Sequence, residues 1–216
     1  MEEKNVQCSY CAVKGCFMGN FDKAPDFCPT KTEPEALQEA RVKLEDPLMR
    51  QMAQDVARTW KDIAGKNRIE LTMDYANVRE YKRLGLAFCV GLSYEAELLS
   101  NVFINNGFDV ISAGCMCGGL CSDDVGLPEE DKIVPGSRQP MCNPIGQAEV
   151  LNKEKSDLNI LLGLCVGDDV LFIKHSKAPV TVLAVKDYAL AHNTLGALYT
   201  SRTIFSRLNS RRPKKQ

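Results

Sequence analysis

The sequence predicts an α/β fold. It reads as an open, mostly parallel, doubly wound (Rossmann-like) sheet, preceded by an N-terminal helical segment and a cysteine-rich metal-binding arm. Three observations carry this reading. Short apolar runs alternate with helix-like segments from residue 83 to 210, the texture of a parallel sheet covered on both faces. Residues 34–82 show helical spacing, interrupted by the Asp46-Pro47 breaker. Residues 1–33 keep neither period and hold too little apolar matter for a core of their own, so a bound metal is what would order them.

The elements follow in chain order. Thr32, with Pro34 two residues on, opens a helix that continues through EALQEARVKL. Asp46-Pro47 starts a second helix, ending at Gly65, and its sole tryptophan, Trp60, is expected in the core of this layer. A third helix is expected over 70–82, with Leu71, Tyr75 and Val78 on one face. The strands are LGLAFC (84–89), FDVISAGC (108–115), LNILLGLC (158–165) and APVTVLAVKD (178–187). Helices are expected over 93–106, from the Asn143 N-cap and Pro144 onward, over 169–175 and over 194–208. The domain division is therefore 1–33 arm, 34–82 helical segment, 83–210 α/β domain and 211–216 basic tail.

Composition narrows the function classes. A net charge of −1 gives no bulk electrostatic case for nucleic acid or an anionic membrane. The one basic cluster, 207–215, reads as a solvated tail. The start is polar, and no apolar stretch approaches the ~20 residues of a membrane span, so a cytoplasmic location is expected. In that compartment ten cysteines are ligands or catalysts before they are disulfides. Neither G-x-G-x-x-G after a strand nor a Walker A sequence is present.

The cysteines form two constellations. Cys8-x2-Cys11-x4-Cys16-x11-Cys28-Pro29 offers a CxxC turn and two further thiolates, a shell that fits a [4Fe–4S] cluster or a tetrahedral zinc. Cys89, Cys115 and Cys165 each end an apolar run, and Cys142 stands directly before a helix. In an open α/β sheet those points fall on one edge, outside the carboxyl ends of the strands, where such folds bind ligands. This is the second expected site, a second metal centre or a redox-active thiol site. Cys117 and Cys121 are alternates there, and could equally be spare thiols or redox partners.

AFCVGLSYEA, MCNPIGQAEVLN, DLNILLGLCVG and APVTVLAVKD resemble an uncharacterised prokaryotic family of cysteine-rich metal-binding proteins, a domain of unknown function. The resemblance spans essentially the whole chain. It implies a metal-binding role for Cys8, Cys11, Cys16 and Cys28 and functional weight for Cys89, Cys142 and Cys165, but it supplies no reaction. The chain departs from that pattern at Gly167-Asp168-Asp169, where the family tends to read Gly-His-Asp, so no histidine role carries over to position 168. It departs again at Lys186-Asp187-Tyr188 and at His192-Asn193-Thr194.

Weaker candidates complete the reading. His192 would lie on the cysteine edge as a proton donor or as partner to Cys165, against the blander reading that Asn193 caps the last helix. Asp168 and Asp169 form an acid–base pair or, more simply, carboxylates at a helix start. His175 draws no function. The expectation is then one or two [4Fe–4S] centres, with zinc as the alternative cofactor. An electron donor and a small-molecule substrate are implied without being identified, and the oligomeric state is left open. An iron–sulfur reductase or sulfur-handling enzyme competes with a zinc-binding structural or interaction protein, and with a metal-storage protein.

Overall fold

The computed structural model describes residues 6–210, so the basic tail expected at 211–216 lies outside the described residues. The chain divides into two compact units, Met1–Lys61 and Asp62–Gln216.

In the first unit the chain turns tightly around its cysteines. A 3-10 turn, Cys8–Tyr10, is followed by α1 (Gly15–Met18) and α2 (Pro29–Thr32). Two longer helices follow, α3 (Pro34–Lys43) and α4 (Pro47–Thr59). Proline opens α2, α3 and α4, where a missing N–H costs no helical bond. Thr32 closes α2 instead of starting the next helix, and Asp46 caps α4 by accepting from the Met49 N–H at 3.0 Å. The stretch expected to continue α4 tightens into a 3-10 helix, Trp60–Gly65. Trp60 is 64% exposed, contrary to the core position expected of it. The unit is too small to enclose so large a side chain; Leu48, Met49 and Val56 of α4 are exposed as well.

The second unit starts with α5 (Arg68–Val78), closed at its N-terminus by a capping box between Asn67 and Glu70. The face packed into the core runs through Ile69, Thr72, Met73 and Ala76, with Tyr75 at its edge. Leu71 and Val78 are not among the residues packed there, which corrects the expected face. Arg68 explains the roll of the helix. Its guanidinium donates to the Val182 carbonyl at 2.7 Å and to Thr181 Oγ1 at 3.2 Å, pinning the first turn to a distant strand.

Four strands follow: β1 (Arg83–Phe88), β2 (Asp109–Gly114), β3 (Leu158–Leu164) and β4 (Val180–Val185). They form one all-parallel sheet in the order β2-β1-β3-β4. Between them run α6 (Ser93–Asn105), α7 (Pro144–Lys153) and α8 (Asp168–His175). Strand side chains alternate between faces. Leu84, Leu86, Leu158 and Ile160 pack with Leu99 and Phe103 of α6, while Ala87 and Leu161 pack with Leu151 of α7 and Phe172 of α8. Helices thus cover both faces, and the doubly wound α/β fold is the one observed. Leu162 and Leu164 fall on opposite faces because Gly163 (φ +68°) breaks the alternation, where the register with β4 shifts.

The last helix is shorter than expected. α9 (Leu195–Tyr199) stops after five residues, and a 3-10 turn, Ser206–Asn209, ends the described chain. Thr200 and Thr203 explain the stop. Their hydroxyls donate to the Gly196 and Thr200 carbonyls, at 2.7 and 3.2 Å, competing with the helical backbone.

Candidate functional site

The four N-terminal cysteines line one cavity of about 440 Å³, together with Lys14, Gly15, Ala24, Pro29 and Thr30. Local backbone geometry builds it. The Cys11 N–H donates to the Cys8 carbonyl at 3.1 Å, closing the CxxC turn, and Lys14 then takes a left-handed φ of +48°. Gly15 is obligatory here, because a Cβ would come within 2.0 Å of the Asn20 carbonyl oxygen. Backbone donors face the sulfurs: the Lys14 N–H reaches Cys11 Sγ at 3.4 Å. Thr30, through its side chain and its backbone, together with Lys31 holds the Cys28 thiol below its ordinary pKa. Among the described residues, no three His, Cys, Asp or Glu side chains are grouped so as to hold a single metal ion.

The second site lies at the carboxyl edge of the sheet. Strand order reverses between β1 and β3, which opens a crevice at that point. Cys89, Cys115 and Cys165 directly follow β1, β2 and β3, and Lys186 directly follows β4. Asn143 brings in Cys142. Its Oδ1 accepts from the Gly146 N–H at 2.8 Å to cap α7, its Nδ2 reaches the Cys117 carbonyl at 3.1 Å, and its N–H reaches the Cys115 carbonyl at 2.6 Å. The expected N-cap therefore also ties Cys142 to the β2 loop.

Two consecutive amides serve two sulfurs. The Val90 N–H donates to Cys115 Sγ and the Gly91 N–H to Cys89 Sγ, each at 3.4 Å. The Lys186 ammonium donates to Cys89 Sγ and also to the Tyr188 hydroxyl at 3.1 Å. Below them Gln147, fully buried, donates from Nε2 to the carbonyls of Phe88 (3.1 Å) and Ala113 (2.7 Å), clamping the ends of β1 and β2. Its Oε1 is buried with no hydrogen-bond partner among the described residues.

The thiols are electrostatically unequal. Burial pushes the Cys89 thiol up, but Lys186, the Gly91 amide and Cys115 together outweigh it, and its pKa lies below the ordinary value. Cys142 is driven far up by burial, by its hydrogen bond with Cys115 and by the Asp168 carboxylate. Cys165 is raised too, chiefly by burial, with Lys186 opposing and Asp168 assisting. Lys186 is held protonated, its burial being overcome by Cys89 and Tyr188. Within the crevice the thiolate form is therefore favoured at Cys89 over Cys142 and Cys165.

The remaining candidates separate. Cys117 borders Cys115 and is raised by burial and by that neighbour. Cys121 is drawn away: it is buried and caps the 3-10 turn Ser122–Val125 jointly with Asp124. Asp168 bonds Cys142 and acts on Cys165. Asp169 instead accepts from the Gly167 and Val170 N–H groups, at 3.0 and 2.8 Å, which is a helix-start role and removes it from an acid–base pair. His192 Nδ1 accepts from the Asp187 N–H at 3.0 Å and its ring lies 6.0 Å from that of Tyr188, so it braces the loop after β4. Asn193 makes no cap; Thr194 is the N-cap of α9, without a side-chain bond. His175 offers its carbonyl to Asn152.

Sequence reasoning missed Lys186, Tyr188 and Gln147 as parts of this site. Lys186 carried a usable signal. It directly follows an apolar strand, the same position that Cys89, Cys115 and Cys165 hold on theirs.

Fold and site together define a parallel α/β protein whose strand ends carry a cysteine cluster and whose N-terminal unit carries a cysteine-lined cavity. The chain belongs to the DUF1847 family, proteins of unknown function, matched over residues 28–183. It is also similar to the uncharacterized protein MJ0455 of Methanocaldococcus jannaschii, with 38% identity over 195 residues covering 90% of this chain and 94% of that protein. The family match takes in Cys28 and all four crevice cysteines. Among the described residues no helix is long and apolar enough to cross a membrane.

Proposed function

We propose that the protein is an iron–sulfur metal-binding protein. Cys8, Cys11, Cys16 and Cys28 hold a [4Fe–4S] cluster, and the crevice at the carboxyl ends of the strands serves as a redox or substrate-binding thiol site. The observation that carries the reading is the single cavity lined by all four N-terminal thiols. Its donor set is the one that iron–sulfur clusters use. When bound, such a cluster supplies one-electron transfer to or from a partner. The chain's own residues position it: the Lys14 N–H donates to Cys11 Sγ, and Thr30 donates to Cys28 and favours its thiolate form.

In the crevice the ammonium of Lys186 sits against Cys89 Sγ, the arrangement of a counter-ion to a thiolate. The crevice is accordingly read as a thiol site for a small molecule. Anaerobic purification with an absorption spectrum and counts of iron, zinc and sulfide tests the cluster. Visible charge-transfer absorption with iron and sulfide, lost in the Cys8→Ser/Cys11→Ser protein and kept in Cys142→Ser/Cys165→Ser, is the expected result. A colourless protein holding one zinc would replace this reading with a structural zinc site.

A further inference from the structure

The inner pair of crevice cysteines has a geometry that neither composition nor spacing reveals. Phe88 and Gly114 are register partners in β1 and β2, and the Cys115 N–H continues that ladder to the Phe88 carbonyl at 2.9 Å. Cys89 and Cys115 therefore stand side by side at the next rung, both packed on the α7 and α8 face. Neighbouring strands lie about 4.8 Å apart, within the roughly 4.4–6.8 Å Cα separation that a disulfide spans. Each sulfur receives one of two consecutive amides, from Gly91 and Val90, and the Lys186 ammonium lies against Cys89 alone. This is the apparatus of thiol–disulfide exchange: a stabilised thiolate with a second thiol in reach.

Access favours a slender partner. Cys89 is only 7% exposed. Gly91 lies close against the site: a Cβ there would come within 2.8 Å of the Tyr188 hydroxyl and 3.6 Å of Cys89 Sγ. So little exposed sulfur favours a small molecule over a bulky peptide.

We propose that the crevice is an exchange site for small-molecule disulfides, with Cys89 as nucleophile, Lys186 as its counter-ion and Cys115 as the resolving thiol. The inference rests on reading the crevice as a reactive-thiol site and is independent of the N-terminal cluster. In the first step the Cys89 thiolate attacks one sulfur of R–S–S–R. The substrate S–S bond breaks, a mixed Cys89–S–S–R disulfide forms, and RS⁻ leaves, taking a proton from water. In the second step Cys115 attacks Cys89 Sγ and its proton passes to the second departing RS⁻. Two electrons move from the cysteine pair to the substrate, which leaves as two thiols, and the pair becomes a Cys89–Cys115 disulfide. The lowered pKa of Cys89 and the raised values of Cys142 and Cys165 agree with this choice of nucleophile.

The test exposes the full, reduced protein to hydroxyethyl disulfide and follows it by peptide mass mapping. Wild type is expected to form a Cys89–Cys115 disulfide with two thiols released, and Cys115→Ser to accumulate a mixed disulfide on Cys89. Lys186→Met is expected to raise the pH midpoint of Cys89 modification. Its rate at pH 7 should fall about threefold for each pH unit of that rise, because thiolate fraction drops tenfold while nucleophilicity recovers roughly half of that on a logarithmic scale. Lys186→Arg, which keeps the cation, should restore the wild-type midpoint. First capture at Cys142 or Cys165 overturns Cys89 as nucleophile, and a stable Cys89 adduct in the wild type overturns Cys115 as its resolver. An unmoved midpoint in Lys186→Met overturns the role of the cation. Iron and sulfide counted on the same samples keep the two readings apart, since loss of either chemistry alone sinks only its own proposal.

Discussion

Gly163→Ala is the substitution through which the sheet and the thiol site are most directly tested together. Gly163 sits in β3 with φ +68°, where an L-residue pays about 1–2 kcal/mol. An added Cβ would also lie 2.1 Å from Leu92 Cδ1, against the roughly 3.5–4.0 Å of a relaxed carbon contact. Leu92 is 6% exposed and cannot swing into solvent, so its displacement carries an overpacking cost of about 1–3 kcal/mol. The sum is roughly 2–5 kcal/mol, a large part of the roughly 5–15 kcal/mol that holds a domain together. Leu92 also closes the 3-10 turn Val90–Leu92 whose amides serve Cys115 and Cys89, so the thiol site should feel the shift. Urea unfolding of wild type, Gly163→Ala, Leu92→Ala and the double variant gives the cycle. Leu92→Ala removes the clash but not the strained φ, so the double variant should be more stable than additivity predicts by about 1–3 kcal/mol. A single-variant cost below about 1 kcal/mol, or strict additivity, would refute the packing argument.

Phe172→Ala should cost about 3–5 kcal/mol in the same assay, since Phe172 is the fully buried residue of α8 and packs against the sheet. Asn143→Ala removes the α7 cap and the bond to the Cys117 carbonyl; a loss of about 1–2 kcal/mol is expected, with faster alkylation of Cys142 by iodoacetamide. Asp168→Asn deletes a charge that raises Cys142 and Cys165, so alkylation of both thiols should move to lower pH, which thiol-resolved mass spectrometry would detect. The raised folded-state values of Cys117, Cys142 and Cys165 contribute stability that is complete below an unfolded thiol pKa of about 8.5 and is lost as pH rises beyond it. Cys89, lowered in the fold, works oppositely, so thermal melts from pH 7 to 10 should fall in wild type and fall less in Cys142→Ala.

The parallel strands were legible because burial on both faces demands continuous apolar runs, and Leu158–Leu164 is buried throughout. The cysteine edge was legible for a related reason. In a parallel sheet every strand delivers its next residue to the same side, so Cys89, Cys115 and Cys165 could be placed together without knowing the strand order. The N-cap at Asn143 followed from local chemistry alone. The helix faces and the final helix were not legible. Roll of α5 depends on where Arg68 finds its carbonyl, 114 residues away, and the end of α9 depends on hydroxyls that choose between solvent and backbone.

Sequence by itself thus determined the α/β class, the two cysteine constellations and the edge on which the second one gathers. These follow from local periodicity and from the direction common to parallel strands. Only the tertiary structure decided the strand order β2-β1-β3-β4, and with it the adjacency of Cys89 and Cys115 and the approach of Lys186 across 97 residues. It also divided the CMCGGLC triad, sending Cys115 to the crevice and Cys121 to a helix cap. The physical reason is the same in each case. Thiol chemistry is set by which charges and amides lie within a few ångströms, and those neighbours come from chain segments whose meeting no local pattern encodes.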